Sequence, residues 1–313
     1  MFRSVVEAAE KAWFFYEPFT LLSNYQAFQE KVVESYAPYR YIVKRYSRKA
    51  NRKVFPVTKV YLKKNPEIAI QNVALLRNSI ELWRAASEIN DAASPVLYHY
   101  SWHCFNSFLA YTFFRWVPQY ANSHGIRVKW SNNVEEIRIR FLMQGLFQRF
   151  IDTWTLLGSS LVFCPLIPVF KGNRIDFTLY DRFLLGKSNT LSLKQLWTFN
   201  PYDDEREFWK RHGREKLVMN TSIRFWGGLQ TDMMQSYLTV FAASNLARYR
   251  PILWHSVLVG EKPEQSLFAV KMRDALLKYA LYGVNSNSLL DTISCLMRDI
   301  MNGRLEFKSL SSQ

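Results

Sequence analysis

The chain predicts a mainly α protein, a helical bundle that carries a β-containing insertion in its middle third. Three observations lead there. Apolar residues recur at helical spacing over 66–90, 231–249 and 263–282. Residues 95–117 are apolar almost throughout, which suits a helix buried in the middle of a bundle. Between these helical stretches, 127–185 turns to near-alternate apolar positions and to apolar runs broken by proline, the pattern of strands. The organisation expected is therefore 1–65 as N-terminal helices and a basic arm, 66–126 as the first half of the helical core, 127–185 as the insertion, and 186–313 as the second half of the core.

In chain order, residues 4–36 read as one or two helices broken near Pro18, with Trp13, Phe14, Phe15, Tyr16 and Phe19 forming a face that docks on the main body. The arm that follows holds ten basic residues and no acidic one: Arg40, Lys44, Arg45, Arg48, Lys49, Arg52, Lys53, Lys59, Lys63 and Lys64. Tyr41, Tyr46, Phe55 and Tyr61 are interleaved with them. Cationic side chains neutralise phosphates and aromatic rings stack on unpaired bases, so this is the candidate nucleic-acid-binding segment; its rival reading is a solvated basic surface. Alternation in VFPVTKVYL marks part of the arm as a strand or hairpin arm. Pro66 to Asn90 is a helix with Ile70, Val73, Leu76, Ile80 and Trp83 on one stripe, and Asp91 to Ser94 caps the next helix, making an antiparallel hairpin.

In the insertion, Val134, Ile137, Ile139 and Phe141 mark a strand entered by a turn at Asn132–Asn133, and LVFCPLIPVF and RIDFTLY are two more candidate strands whose prolines suit sheet edges. Leu191 to Phe199 is a short helix with Ser192 as its cap. NPYDDEREFWKRHGREK is a polar surface segment, with His212 facing solvent, and Gly227–Gly228 is a joint before the next helix. Two final helices are expected at 263–282, lined by Leu267, Val270, Leu276 and Ala280, and at 286–302, lined by Leu289, Ile293, Met297 and Ile300.

Composition narrows the function classes. Forty-nine per cent hydrophobic residues are enough for one large core or two smaller ones, which excludes disorder over most of the chain. The 41 Lys and Arg against 26 Asp and Glu leave a net charge of +15 and favour a polyanionic partner. Nucleic acid is the default, with acidic lipid or an acidic protein subunit as rivals. Cys104, Cys164 and Cys295 are scattered in apolar sequence and read as buried thiols of a reducing, cytoplasmic compartment, not as a disulfide framework. The N-terminus reads as an amphipathic helix and not as an export signal. The 95–117 run is long enough to span a bilayer, but it contains His99, His103, Asn106 and Arg115, so no membrane partner is expected. His99 and His103, four apart, have a spacing that suits a metal, yet no Glu lies between them in the HExxH arrangement. They are read as buried, hydrogen-bonded core histidines, and no metal or cofactor is expected. P-loop, dinucleotide-binding and nucleophile-elbow motifs are absent from the sequence.

The rest of the chain is organised around Thr231 to Val259. Met234, Leu238 and Phe241, with Tyr237, Val240 and Ser244 beside them, lead into Asn245, Arg248 and Arg250. Pro251 lacks an N–H and disfavours helical geometry at Arg250, but it opens a second helix, PILWHSVL, that carries His255. The bend leaves pairing of His255 with either arginine open. The run LARYRPILWH, behind a helix starting near Met234–Gln235, resembles the hallmark segment of the YaaC-like family, a bacterial group related to the HEPN class of helical proteins. SPVLYHYSWHCFNSFLAYTFF with the turn at His124–Gly125, and NTLSLKQLWTFNP, fit the same family, so the resemblance extends from about Ile68 to Leu290.

That resemblance implies a HEPN-like helical bundle. It also implies a metal-independent endoribonuclease motif, an Arg followed after four to six residues by a His, which both Arg250 and Arg248 satisfy with His255. One departure bears on catalysis and not on the fold: active HEPN members carry a polar residue directly after the arginine, whereas Tyr249 and Pro251 stand there. The candidate catalytic residues are thus Arg248, Arg250 and His255, with His255 exchanging protons at the 2′-hydroxyl or leaving oxygen and an arginine stabilising charge on the phosphate. The resemblance further implies a homodimer and a role in bacterial antiviral defence or toxin-like growth arrest. The alternative is a non-catalytic nucleic-acid-binding or scaffold subunit that holds a partner effector in a defence complex. In that case Arg248 anchors helix ends, Trp254 is core and His255 is a surface residue.

Overall fold

The computed structural model describes residues 16–35, 55–89, 92–115, 124–142, 145–147, 190–198 and 220–281. After a 3-10 turn at Glu17–Thr20 come α1 (Leu22–Ser35), β1 (Phe55–Pro56), α2 (Lys59–Lys64), α3 (Glu67–Glu88), α4 (Ser94–Phe113) and β2 (Phe114–Arg115). Then follow β3 (Ile126–Lys129), a 3-10 turn at Val134–Glu136, β4 (Arg138–Phe141), β5 (Thr190–Ser192), α5 (Leu193–Thr198), α6 (Asn220–Tyr249), α7 (Pro251–Val259) and α8 (Pro263–Leu281). The fold is mainly α, with β1 paired to β2 and a separate antiparallel sheet in the order β3-β4-β5.

α4 is the centre of the bundle. Buried side chains occur all round it, from Tyr98, His99 and Trp102 through Phe105, Phe108 and Leu109 to Phe113, as its unbroken apolar sequence requires. α3 packs along one side and α6 along another, with α8 behind α6. Close approach of α3 and α4 is secured by small residues: Ser79 Oγ donates to the Ser101 carbonyl at 2.9 Å and Ser101 Oγ returns the bond to the Ser79 carbonyl at 2.8 Å. The docking of α1 uses a buried polar chain, in which Asn72 Nδ2 donates to the Tyr25 hydroxyl at 2.6 Å and that hydroxyl lies 3.0 Å from Thr112 Oγ1. Burial holds the Tyr25 phenol protonated, its pKa pushed up to about 12.

Several sequence expectations are corrected. The segment KVYLKK is helical, because the Thr58 side chain accepts the Tyr61 N–H at 3.2 Å and caps α2, and the strand shrinks to Phe55–Pro56. Ser94 is a residue of α4, and Ala93 precedes it without a side-chain cap. α6 runs unbroken through Gly227–Gly228. Val73, Leu76, Ile80 and Trp83 of the α3 stripe and Leu276 of the α8 stripe are buried as expected, but Ile70, Leu267 and Val270 are exposed, and Ala69 on α3 and Phe268, Ala269 and Met272 on α8 face the core in their place. The strands expected at 161–170 and 174–180, His212 and the helix expected at 286–302 lie outside the described residues.

One cluster of buried side chains joins α1, α3, α4, the β3-β4-β5 sheet, α5, α6, α7 and α8. The sheet contributes Ile126 and Ile139, and the turn between β3 and β4 contributes Val134 and Ile137, none more than 3% exposed. Its third strand comes from 190–192, beyond the expected end of the insertion, and runs directly into α5. There Ser192 Oγ accepts the Gln195 N–H at 3.1 Å and Gln195 Oε1 accepts the Ser192 N–H at 3.0 Å, a reciprocal cap that holds the strand-to-helix corner. Among the described residues no helix is long and apolar enough to cross a membrane.

Candidate functional site

The junction between α6 and α7 is built on Arg250. Its N–H donates to the Leu246 carbonyl at 2.9 Å, the last bond of α6, and its carbonyl accepts from Trp254 N–H at 2.8 Å, the first of α7. With φ −139° and ψ 58°, Arg250 is outside helical geometry, as the following proline requires, and Pro251 begins the new helix. α7 is held on two sides. Trp254 is buried and its indole N–H donates to the Ala92 carbonyl at 2.8 Å, while Gln265 Nε2 of α8 donates to Ser256 Oγ at 2.9 Å. The helix ends on Gly260 in left-handed geometry, φ 73°, with the Gly260 and Glu261 N–H groups donating to the Ser256 carbonyl.

The three residues singled out by spacing diverge here. Arg248 is half-buried: its Nε donates to the Ser244 carbonyl at 3.1 Å and an Nη to the Tyr100 hydroxyl of α4 at 2.9 Å, with the guanidinium 5.0 Å from the Tyr249 ring centre. Arg250 is exposed and lies 5.5 Å over the ring of Trp130, the residue after β3. His255 is exposed between Ile252 and Val259 on the outer side of α7 and makes no hydrogen bond or ring contact with a described residue.

What Arg248 does meet is a group that motif spacing does not reveal. The His99 and His124 ring centres are 5.6 Å apart and those of His103 and His124 6.0 Å, with Tyr100, Tyr237 and Phe241 around them. His124 is placed by the turn at Gly125, φ 72°; its carbonyl accepts the Phe147 N–H at 3.0 Å, and the Gly125 carbonyl accepts that of Leu142 at 2.8 Å. Burial, then the neighbouring histidines and Arg248, hold the His99 imidazole well below its usual pKa; burial and Arg248 lower that of His124. His99 Nε2 and His124 Nδ1 have no hydrogen-bond partner among the described residues, which corrects the expectation of a fully bonded core histidine at 99. A helical spacing of four reveals the first two histidines. The third joins them only through the turn, and the His-Gly pair after α4 is the one signal of it in the sequence.

His99 and His124 are held as neutral imidazoles beside the Arg248 guanidinium, a fixed positive charge that favours an anion and repels a metal cation. Among the described residues no group of three or more His, Cys, Asp or Glu is placed to hold a metal ion. Burial pushes the Cys104 thiol up to about 11, so it is not a nucleophile at neutral pH. Of the basic arm, Lys59, Lys63 and Lys64 lie exposed on α2; Arg40, Lys44, Arg45, Arg48, Lys49, Arg52 and Lys53 lie outside the described residues. Compared with protein-family profiles, characterised proteins and solved structures, the chain matches none.

Proposed function

We propose that the chain is an RNA-directed protein that holds RNA, or an effector acting on RNA, as a non-catalytic subunit of a bacterial defence complex. The observation that carries this reading is the separation of the motif residues: Arg248 is engaged by Ser244 and Tyr100 in tying α6 to α4, and His255 faces outward without a contact to either arginine. Trp254, buried and bonded to Ala92, is core in the same sense. The net charge of +15 supports a polyanionic partner, and the resemblance described above supplies the setting of defence. Incubation of purified protein with labelled RNA in EDTA tests it. Retention of the RNA uncut, with the same affinity in wild type and His255→Ala, is the expected result; cleavage abolished by His255→Ala overturns it.

A second reading is favoured by one observation, the contact of Arg248 with Tyr100 beside His124. It is metal-independent cleavage with His124 in the role that the motif gives to His255. A neutral imidazole accepts the proton of the attacking 2′-hydroxyl, and Arg248 stabilises the charge that grows on the phosphate. In this case cleavage continues in EDTA and in His255→Ala but stops in His124→Ala. Cleavage that survives His124→Ala removes the mechanism.

A further inference from the structure

The outward face of the β3–β4 hairpin carries a block of cations. Arg127 stands directly opposite Arg140 and Lys129 directly opposite Arg138, and all four are exposed while Ile126, Val128 and Ile139 turn the other way. None of the four makes an ion pair, hydrogen bond or ring contact with a described residue. The carboxylates of the connecting turn are engaged elsewhere: Glu135 with Lys194 at 3.0 Å, and Glu136 as acceptor from Ser131 Oγ at 3.2 Å. Like charges facing each other across a ladder destabilise a sheet. Two such pairs in succession therefore cost stability that packing in the described fold does not return.

We propose that this face binds the phosphate backbone of a nucleic-acid strand, an inference that rests on the nucleic-acid reading above and gives it a location. Alternate residues on a strand are about 6.6 Å apart. That is comparable to the separation of successive phosphates along one strand, so each column of cations follows a backbone. Three of the four are arginines, whose planar guanidinium bonds two phosphate oxygens at once. Among the described residues the face presents no apolar side chain for insertion into lipid, and an anionic membrane surface is accordingly disfavoured.

Fluorescence anisotropy of a labelled single-stranded RNA oligonucleotide, titrated at several salt concentrations, tests this. The variant Arg127→Gln/Lys129→Gln/Arg138→Gln/Arg140→Gln should flatten the plot of log affinity against log salt by about 3, at roughly 0.7 for each phosphate that is no longer neutralised. Its melting temperature should equal or exceed the wild-type value, since repulsion is removed; if that protein does not fold, Lys129→Gln/Arg138→Gln should give half the change in slope. Lys262→Gln/Lys271→Gln, just before and on α8, is the comparison, and an equal loss of slope per charge there would assign the effect to net charge and overturn the proposal. DNA of the same sequence bound with the same slope supports backbone recognition, and tighter binding of RNA at that slope identifies RNA as the source. Anionic phosphatidylserine vesicles whose binding falls in the quadruple variant while RNA binding does not would also overturn it. RNA binding unchanged in the quadruple variant removes this face alone. Failure of the wild type to bind any nucleic acid removes the broader reading with it.

Discussion

His99 lies in the middle of the bundle with its imidazole held neutral by burial, then by its histidine neighbours and Arg248. In the unfolded chain the same ring titrates at about 6.5. Between that value and the lower folded one, the unfolded state binds a proton that the folded state refuses, so stability is full above about pH 6.5 and is lost as the pH falls below it. The loss approaches about 1.4 kcal/mol per pH unit for one such group. Urea unfolding at pH 7.5 and 5.5 should show this decline, and His99→Phe should reduce the dependence whatever it does to the absolute midpoint. A wild-type midpoint that does not move over this range would contradict the assignment. Trp254 makes a separable prediction: Trp254→Phe keeps much of the packing and loses the bond to Ala92, at about 1 kcal/mol, whereas Trp254→Ala should cost about 3–5 kcal/mol.

At the scale of elements, the break between α6 and α7 is legible in the sequence because Pro251 removes a donor and restricts the residue before it, two effects that no tertiary contact reverses. The end of α7 is as local. Gly260 has φ 73°, and a Cβ there would lie 2.7 Å from Ser266 Oγ, an exposed hydroxyl that donates to the Gly260 carbonyl at 3.2 Å. Gly260→Ala should therefore destabilise by about 1–2 kcal/mol, chiefly from the left-handed backbone, and adding Ser266→Ala should recover little of it in thermal melts. Full recovery would show that the clash dominates. Elements governed by tertiary contacts are less legible. Gly227–Gly228 has the composition of a joint, yet it lies within a helix whose later turns are buried by α4 and α8. Periodicity alone puts the α8 stripe on Leu267 and Val270, but Gln265 reaches inward to Ser256 and fixes the phase that buries Phe268 and Met272. Of the candidate site, spacing finds Arg248 and the pair on α4. It does not find that Tyr100 and His124 meet them, since those contacts span the bundle.

For the molecule as a whole, the word insertion describes the chain and not the core. The residue before β4 binds α5, as the Leu193 N–H donates to the Ile137 carbonyl at 2.9 Å, and α5 binds α6 through Trp197 Nε1 to Thr239 Oγ1 at 3.2 Å and Gln235 Nε2 to the Leu196 carbonyl at 2.9 Å. The short helix is thus a bridge that makes the sheet part of the same cooperative unit as the bundle. Ile139, 1% exposed on the inner face of the sheet, and Leu109, 0% exposed in α4, lie in one cluster. Ile139→Ala should lower the midpoint of the helical circular-dichroism transition about as Leu109→Ala does, each by roughly 2–5 kcal/mol, without splitting it. An independent insertion would behave otherwise: Ile139→Ala would leave the helical transition in place and release the hairpin alone, seen as a separate loss of amide protection at β3 and β4. A single transition also fixes the relation between the two candidate sites. His124, the last member of the histidine group, stands before Gly125 and the basic face begins at Arg127, so an unfolding event that removes one removes the other, and ligand bound to the face should raise the midpoint of the whole bundle.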